Sequence, residues 1–449
     1  MTKDNKKVIR ETQSLNPSNA SSTIGLKPYG AVYSSALTQA EDTTSNERGG
    51  GRRRRKIPEK DKDGVWRSTS TAVSPEQSTV TDSNASYLPQ DIFTNILKRL
   101  PVKSLIRFQC VCKDWKNLFK TPSFIAEHAR LSTQQDSVLL FKSPRYKCKP
   151  ACLCLINRDM RVLKYETPPS LVRSCDIIGS SNGFICLDYE SSFILWNPAT
   201  REVLWVPKVP GICDVGFGFS PIVNDFKIVA HSLSRLDDVQ AYRVQVFSVS
   251  TRSWKEVGKL NGIDAFVAPG FNFDGAIFWF GFCKARECYL ISFDIAAESF
   301  ALIPIPRPAQ ATSASRLTAY ENKLAMLSTT RVEYKSGIES TKSSMNCAIN
   351  LWVIGKCVDT SGERWIWTKV YTSNPFPDRT FFLIPQTIWR NEIVGVGATK
   401  GEKVLVFYNL HTNELKMLAM GEHSNGIVIW HYAESLVSVF DIHLEASSS

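Results

Sequence analysis

The chain has 449 residues, of which 43% are hydrophobic and 22% charged, a composition typical of a globular protein with one large domain and a smaller one. Its 54 Lys and Arg residues outnumber its 43 Asp and Glu residues, so the formal net charge is +11. The excess is uneven, because residues 85–132 carry 8 basic and 3 acidic residues whereas residues 133–449 carry 32 and 30. A nearly neutral body disfavours a nucleic-acid-binding core.

Several other classes of protein are also disfavoured. No apolar core follows the polar residues after Met1, so we expect no secretory signal. The stretch Ala276–Cys283 is among the longest uncharged apolar runs, and it is far shorter than the roughly 20 residues of a membrane span. The 12 cysteines are expected to be reduced. Cys148, Cys152 and Cys154 lie close together, but without a C-x-x-C pair or a nearby His we expect no metal site.

Residues 1–86 are predicted to form a disordered tail. They are rich in Ser, Thr, Asn and Gly, and they have too few large apolar residues to offset the entropy of ordering. The tail contains the basic run Arg52-Arg53-Arg54-Arg55-Lys56, which is a candidate nuclear-import signal. A solvated charge cluster explains the same run equally well. We therefore expect the protein in the cytosol, the nucleus or both.

Residues 87–132 are predicted to form a module of three short helices. Pro89 suits a first helical turn, and an amphipathic stripe runs from Ile92 to Leu100. Pro101 ends this helix, and Thr121-Pro122 ends the third one. So small a module carries apolar residues on more than one face, so we expect another surface to cover some of them. That surface is either a partner protein or the domain that follows.

The same segment resembles the F-box motif without a gap. The resemblance implies binding to an acidic Skp-type adaptor, which docks on a cullin scaffold that carries the ubiquitin-loading machinery. The positive charge of residues 85–132 agrees with an acidic partner. The family's apolar positions, some of which form the module's own core, match Leu88, Pro89, Ile92, Leu97, Leu100, Pro101, Leu105, Val111, Cys112 and Trp115.

Residues 133–449 are predicted to be a mainly β domain. Short apolar runs such as Phe193–Trp196 and Val404–Tyr408 recur between turn residues, and no long helical pattern interrupts them. A loose repeat of strand, turn and aromatic strand recurs at spacings of 40, 51 and 46 residues, and a gap of 115 leaves room for one further unit near Trp365–Trp367. This period predicts a β-propeller of about six blades rather than a two-sheet sandwich. Val428–Trp430 and Leu436–Phe440 remain to close the ring.

This region resembles the plant F-box-associated domain, which is related to kelch-like propellers. The matching pieces include Gly179–Cys186, Trp196–Arg201, Gly216–Phe219 and Asp225–Val229. The double glycine of kelch repeats is missing. The resemblance implies that the propeller recognises a protein substrate.

The sequence contains no recognisable catalytic motif or cofactor site. It has no phosphate-binding G-x-x-x-x-G-K-[ST] loop, no H-E-x-x-H and no G-x-S-x-G. We therefore expect a non-enzymatic specificity subunit of an SCF-type (Skp-cullin-F-box) ubiquitin ligase that recruits a substrate for ubiquitination. Two alternatives remain open, a non-degradative scaffold or nuclear regulator that binds the adaptor, and a propeller enzyme.

Overall fold

The computed structural model describes residues 89–143, 152–157, 159–164, 175–236, 239–282, 287–306, 315–334, 344–359, 362–374, 382–399, 402–421 and 427–442. The chain divides into two units, Met1–Ala85 and Ser86–Ser449, and all the described residues belong to the second. The predicted tail 1–86, its basic run Arg52–Lys56 and Leu88 lie outside the described residues.

The helical module contains four helices rather than the three predicted. They are α1 Gln90–Leu97, α2 Val102–Phe108, α3 Lys113–Leu118 and α4 Pro122–Asp136. The prediction took Thr121-Pro122 only as a helix end, whereas it also begins α4: the Thr121 hydroxyl accepts a hydrogen bond from the Phe124 N–H (3.4 Å), and Pro122 occupies the first turn. Helix α4 therefore crosses position 132, where the predicted module ends.

The rest of the described chain forms six antiparallel sheets of four strands each, which confirms the predicted six-bladed propeller. In blades 2 to 6 the strands follow chain order from the innermost outwards. Blade 2 contains β4 Asp176–Ser181, β5 Phe184–Tyr189, β6 Ser192–Asn197 and β7 Glu202–Pro207. Blade 3 contains β8 Ile212–Ser220, β9 Asp225–Leu236, β10 Val239–Ser248 and β11 Ser253–Asn261. Blade 4 contains β12 Ala265–Phe273, β13 Ala276–Phe282, β14 Cys288–Asp294 and β15 Ser299–Pro304.

Blade 5 is the further unit that the gap of 115 residues predicted. It contains β16 Arg316–Tyr320, β17 Lys323–Tyr334, β18 Ser344–Asp359 and β19 Gly362–Thr372, and the last of these holds Trp365–Trp367. Blade 6 contains β20 Phe382–Trp389, β21 Glu392–Thr399, β22 Glu402–Asn409 and β23 Leu415–Gly421. The blades also differ in strand length: every strand of blade 2 has six residues, whereas β18 of blade 5 has 16.

Blade 1 closes the ring with strands from both ends of the domain. It contains β1 Val138–Ser143, β2 Cys152–Ile156 and β3 Val162–Lys164. The last strand among the described residues, β24 Ile429–Tyr432, lies inside them. The strands β24 and β1 pair antiparallel from Val138↔Tyr432 to Phe141↔Ile429. Because of this pairing, the inner edge of β1 is hydrogen-bonded to β24 and does not remain open. The prediction that residues 428–430 close the ring is thus correct, whereas Leu436–Phe440 forms no strand.

Two kinds of turn produce the internal repeat. In blades 2, 4, 5 and 6 the first two strands are joined by a two-residue turn in which both residues have positive φ, as at Asn182-Gly183 (φ 45° and 85°). The third and fourth strands of blades 2, 4 and 6 are joined by a turn whose first side chain accepts backbone N–H groups. These acceptors are Asn197, Asp294 and Asn409.

Apolar side chains fill the spaces between neighbouring blades. One cluster joins blades 2 and 3 around Phe217 and Phe226, and another joins blades 3 and 4 around Trp279. Antiparallel order places the connections of each blade alternately at two ends of the ring. The end that carries the first-to-second and third-to-fourth connections is called the module end here, and the other is the free end. No helix among the described residues has both the length and the apolar character needed to cross a membrane.

Candidate functional site

The helical module owes its short helices to proline and to side-chain caps. Pro89 and Pro101 precede α1 and α2 with φ of −50° and −57°, values that proline's ring favours. Cys112 precedes α3, and its Sγ accepts a hydrogen bond from the Trp115 N–H at 3.4 Å. Pro101 and Cys112 each begin a new helix a few residues after the previous helix ends, so the helices fold back on a common centre.

That centre is a compact apolar core. Leu97, Val102 and Leu105 are almost fully buried, with exposed fractions of 2%, 0% and 0%. Trp115 contacts three rings, with centroid distances of 5.0 Å to Phe93, 5.5 Å to Phe108 and 6.3 Å to Phe119. Aromatic contacts of this kind stabilise beyond simple burial. The module therefore satisfies many of its own apolar residues.

Other apolar side chains of the module face solvent. Ile92 and Ile96 are 49% and 47% exposed and lie one turn apart on the same face of α1, and Val111, between α2 and α3, is 62% exposed. Pro89, Pro101 and Cys112 are exposed as well. The module also has exposed basic side chains, on its helices or in the turns that follow them: Arg99, Lys103, Arg107, Lys113, Lys116 and Lys120. The module thus offers an apolar and basic surface.

The structure divides the predicted adaptor-binding residues into two groups. Pro89, Ile92, Pro101, Val111 and Cys112 are exposed. Leu97 and Leu105 are buried, and Leu100 and Trp115 are half-buried in the same apolar cluster. The buried pair cannot present surface to a partner while the module stays folded. Trp115→Ala would therefore disturb the module's packing as well as any interface, and Leu88 lies outside the described residues.

The module is anchored to the propeller by a segment that sequence reasoning did not single out as an anchor. Residues 433–442, called the C-terminal strap here, follow β24 at the module end. The Val102 N–H donates to Glu434 Oε2 across 3.2 Å, and Leu436 is buried in the module's apolar cluster. Ala199, from a turn of blade 2, packs against the same cluster. Part of the module's apolar surface is thus covered by its own chain.

The strap is in turn held by polar groups of blades 2 and 3. Asn197 Nδ2 donates to the carbonyl oxygens of Ser435 (3.0 Å) and Val437 (2.8 Å). The Val439 N–H donates to Glu202 Oε2 (3.1 Å), and the Arg252 guanidinium donates to the Val439 carbonyl. Burial raises the pKa of Glu202 and lowers the pKa of Arg252. The strap is therefore a fixed part of the propeller.

His128 is a second contact that the sequence did not reveal. It lies on α4, is buried, and stacks on Phe124 with ring centroids 6.4 Å apart. Its Nε2 lies 3.0 Å from the Leu100 carbonyl, so this nitrogen carries the proton and donates it. Burial lowers the pKa of His128, which keeps the ring neutral near pH 7. This contact joins α4 to the connection between α1 and α2.

Comparison with protein families identifies both parts of this arrangement. Residues 86–126 match the F-box domain, and residues 131–440 match the F-box associated beta propeller domain. The second match covers well over half of the chain. The chain belongs to the plant F-box proteins with an F-box-associated propeller.

Its relatives include F-box proteins of Arabidopsis thaliana. At3g10240 is 25% identical over 394 residues, which cover 82% of this chain and 94% of that protein. At4g38870 is 25% identical over 296 residues, or 61% of this chain and 69% of the relative. The F-box/kelch-repeat protein At3g23880 is 27% identical over 242 residues, which cover 49% of this chain and 65%, just under two thirds, of the relative.

The F-box assignment indicates the general role of proteins with this arrangement. An F-box followed by a propeller is the arrangement of substrate-recognition subunits of SCF ligases, which are typically non-catalytic adaptors. Within the described residues, no three His, Cys, Asp or Glu side chains are placed to hold a metal ion. Of the three clustered cysteines, Cys154 is buried in an apolar cluster between blades 1 and 6. This apolar setting gives that thiol a packing role.

Proposed function

We propose that this F-box protein is the substrate-recognition subunit of an SCF-type ubiquitin ligase that promotes ubiquitination of a bound protein. The exposure of Ile92, Ile96 and Val111 carries the proposal. These three side chains remain uncovered although the module's core is filled and the strap already covers part of its surface. Large apolar side chains left exposed beside a completed core are typical of an interface.

The proposed partner is an acidic Skp-type adaptor and, through it, a cullin scaffold. The exposed lysines and arginines of the module attract an acidic surface and speed association, while the apolar side chains supply most of the affinity. Exposed apolar side chains are the best candidates for direct contact. The buried Leu97 and Leu105 belong to the module's core.

The free end of the propeller is the proposed substrate-binding surface, because the module and the strap occupy the other end. Trp205 lies near the free end of β7, is 48% exposed, and packs edge-on against Tyr189 at 5.7 Å. Exposed tryptophan is enriched among residues that dominate protein interfaces. We therefore place one substrate contact at Trp205 on blade 2.

The proposed mechanism is proximity. The anchored module and the closed ring hold a bound substrate at a fixed distance from the adaptor, so that a substrate lysine meets the ubiquitin thioester repeatedly instead of by chance collision. The contacts of Glu434 and Leu436 serve this purpose because they fix the module to the propeller. The protein itself needs no reactive group for this role.

Affinity capture under a block of cullin neddylation tests the proposal. Wild-type protein is expected to capture the adaptor, the cullin and candidate substrates, whereas Ile92→Ala with Ile96→Ala loses the adaptor and cullin and keeps the substrates. Trp205→Ala is expected to show the reverse. Equal capture of adaptor by wild type and the double variant contradicts the proposal, and adaptor binding without any accumulated substrate favours a non-degradative role.

Localisation stays a separate prediction. The run Arg52–Lys56 is a candidate import signal, so neutral substitutions at all five positions are expected to shift a fluorescent fusion from nucleus to cytosol. An unchanged distribution would assign the run to solvated charge.

A further inference from the structure

A cavity of about 390 Å³ lies in the central channel of the propeller, towards the module end. Its wall is formed by the innermost strands β4, β12, β16, β20 and β24. Ala129 of α4 and Glu434 and Ser435 of the strap also line it. Its volume is in the range of small-molecule sites. Because the chain's own helix and strap already form part of this wall, a small molecule fits this place better than a segment of another protein.

A buried carboxamide oxygen in the wall has no hydrogen-bond partner. Gln386 on β20 is only 5% exposed, and its Oε1 is unpartnered. Asn272 on β12 donates from Nδ2 to the Ser181 hydroxyl (2.8 Å), while its Oδ1 lies against Gly218 of blade 3, outside the cavity wall. Leaving a buried acceptor unpaired is costly, so Gln386 Oε1 requires a donor from whatever occupies the cavity.

The polar part of the wall is held in place before any ligand arrives. The Thr387 hydroxyl lies 2.8 Å from His431 Nε2 and 3.1 Å from the Thr318 hydroxyl, which also accepts the Ile388 N–H at 3.1 Å. This network links blades 5, 6 and 1 and fixes the two residues that follow Gln386. A site fixed in this way loses little entropy on binding.

The remaining wall defines the chemistry of the occupant. Arg316 at the start of β16 is the single Lys or Arg among the described residues that line the cavity, and its guanidinium is permanently charged. Phe271, Phe273, Leu317 and Trp430 provide apolar surface. We propose that the cavity binds a small hydroxylated carboxylic acid with a flat apolar body, whose carboxylate pairs with Arg316 and whose hydroxyl donates to Gln386.

Such a ligand would contact the propeller and the F-box module together. Ala129 lines the cavity from α4, and Glu434 lines it while it accepts the Val102 N–H. Occupancy therefore stabilises the joint between the two parts, and it does so whether or not the proposed ligase function is correct.

Three probes test the proposal: 4-hydroxybenzoate, 4-hydroxyphenylacetate and 3-(4-hydroxyphenyl)propionate, which separate the carboxylate and hydroxyl by increasing distances. Calorimetric titration of the full chain is expected to show binding of at least one, at a Kd below about 1 mM, with a rise in Tm. Gln386→Met and Arg316→Met are expected to weaken that binding about tenfold or more. Gln245→Met on β10, away from the cavity, is the matched control and should bind as wild type does.

Two outcomes overturn the proposal. Either no probe binds the wild-type protein, which would assign the cavity to water, or the folded Gln386→Met variant binds as tightly as wild type. Because a buried substitution can impair folding, Arg316→Gln serves as a second loss-of-charge variant. Unchanged binding by that variant, with wild-type Tm, contradicts the carboxylate assignment and with it the proposal.

Discussion

The backbone N–H of Val102 donates a hydrogen bond to Oε2 of Glu434, 332 positions later in the chain. Val102 begins α2, and the ring of Pro101 before it has no acceptor atom that could cap the helix. A residue of the C-terminal strap therefore performs the capping, and in doing so it ties the F-box module to the propeller. The two domains meet through this strap rather than through α4 alone.

Removing this cap should loosen the module without opening the ring. We expect Glu434→Ala to destabilise α2 by about 1 kcal/mol, the usual value of a helix cap, whereas Glu434→Gln keeps an acceptor oxygen and most of the stability. Hydrogen exchange would show about fivefold faster exchange for α2 amides in the alanine variant and unchanged strands. Equal exchange in both variants would show that the cap contributes nothing.

Equivalent turn asparagines in blades 2 and 6 are expected to contribute different amounts to the free energy of unfolding, so they form a matched pair. Asn197 and Asn409 each accept backbone N–H groups in their own turns, but Asn197 is fully buried and also donates to the Ser435 and Val437 carbonyls. Asn409→Ala should cost about 1 kcal/mol, and Asn197→Ala about 2–4 kcal/mol because it leaves buried carbonyls unpaired. Denaturant unfolding measures both, and equal losses would contradict the anchoring role of Asn197.

Gly183 should tolerate no side chain. Its φ is +85°, and a Cβ there would lie 2.2 Å from the Cβ of Ser435 in the strap. Gly211 has a similar φ of +74° with nothing within 4 Å, so Gly211→Ala serves as the control for backbone strain alone. We expect about 1 kcal/mol for the control and at least about 2 kcal/mol more for Gly183→Ala, by thermal unfolding. If the two substitutions cost the same, the strap does not lie tightly on this turn.

Acidification should destabilise the ring through His431. Burial lowers the pKa of His431 to about 4, while the unfolded chain takes up the same proton near 6.5. Because the unfolded state binds more protons between these values, the free energy of unfolding falls as pH drops from 6.5 to 4, by about 3 kcal/mol in total. The depressed pKa of His128 acts in the same direction.

Unfolding measured at several pH values tests this prediction. His431→Asn is expected to flatten the dependence, and His411→Asn, at an exposed turn position, should keep the wild-type slope. A wild-type slope in the His431 variant would mean that this ring does not titrate differently in the folded state.

The sequence was sufficient to predict the blades because their information is local. Alternating apolar residues, and turn acceptors such as Asn197 and Asn409, lie within a few positions of the strands they define. The fourth helix was missed because Thr121-Pro122 is compatible with a helix end and with a helix start. The strap's role was missed because contacts such as Val102 with Glu434 join distant segments and leave no periodic pattern.

The candidate site was predictable only as a set of residues. The motif supplied the apolar positions, but the same hydrophobic side chain suits either a core or an interface. Only packing separates Leu105, which is fully buried, from Ile96 one helix earlier, which is 47% exposed. The strap also determines which side chains are buried, because Leu436 covers apolar surface of the module that would otherwise face solvent.

Calorimetric titration of the full chain with a purified Skp-type adaptor tests the central claim most directly. Alanine substitutions at Ile92, Ile96 and Val111 together are expected to weaken binding at least about 100-fold while Tm stays close to the wild-type value, because these side chains are outside the core. Alanine substitutions at Leu302, Val370 and Met417, equally exposed on the propeller, should leave binding unchanged. Wild-type affinity in the Ile92, Ile96 and Val111 variant would contradict the account.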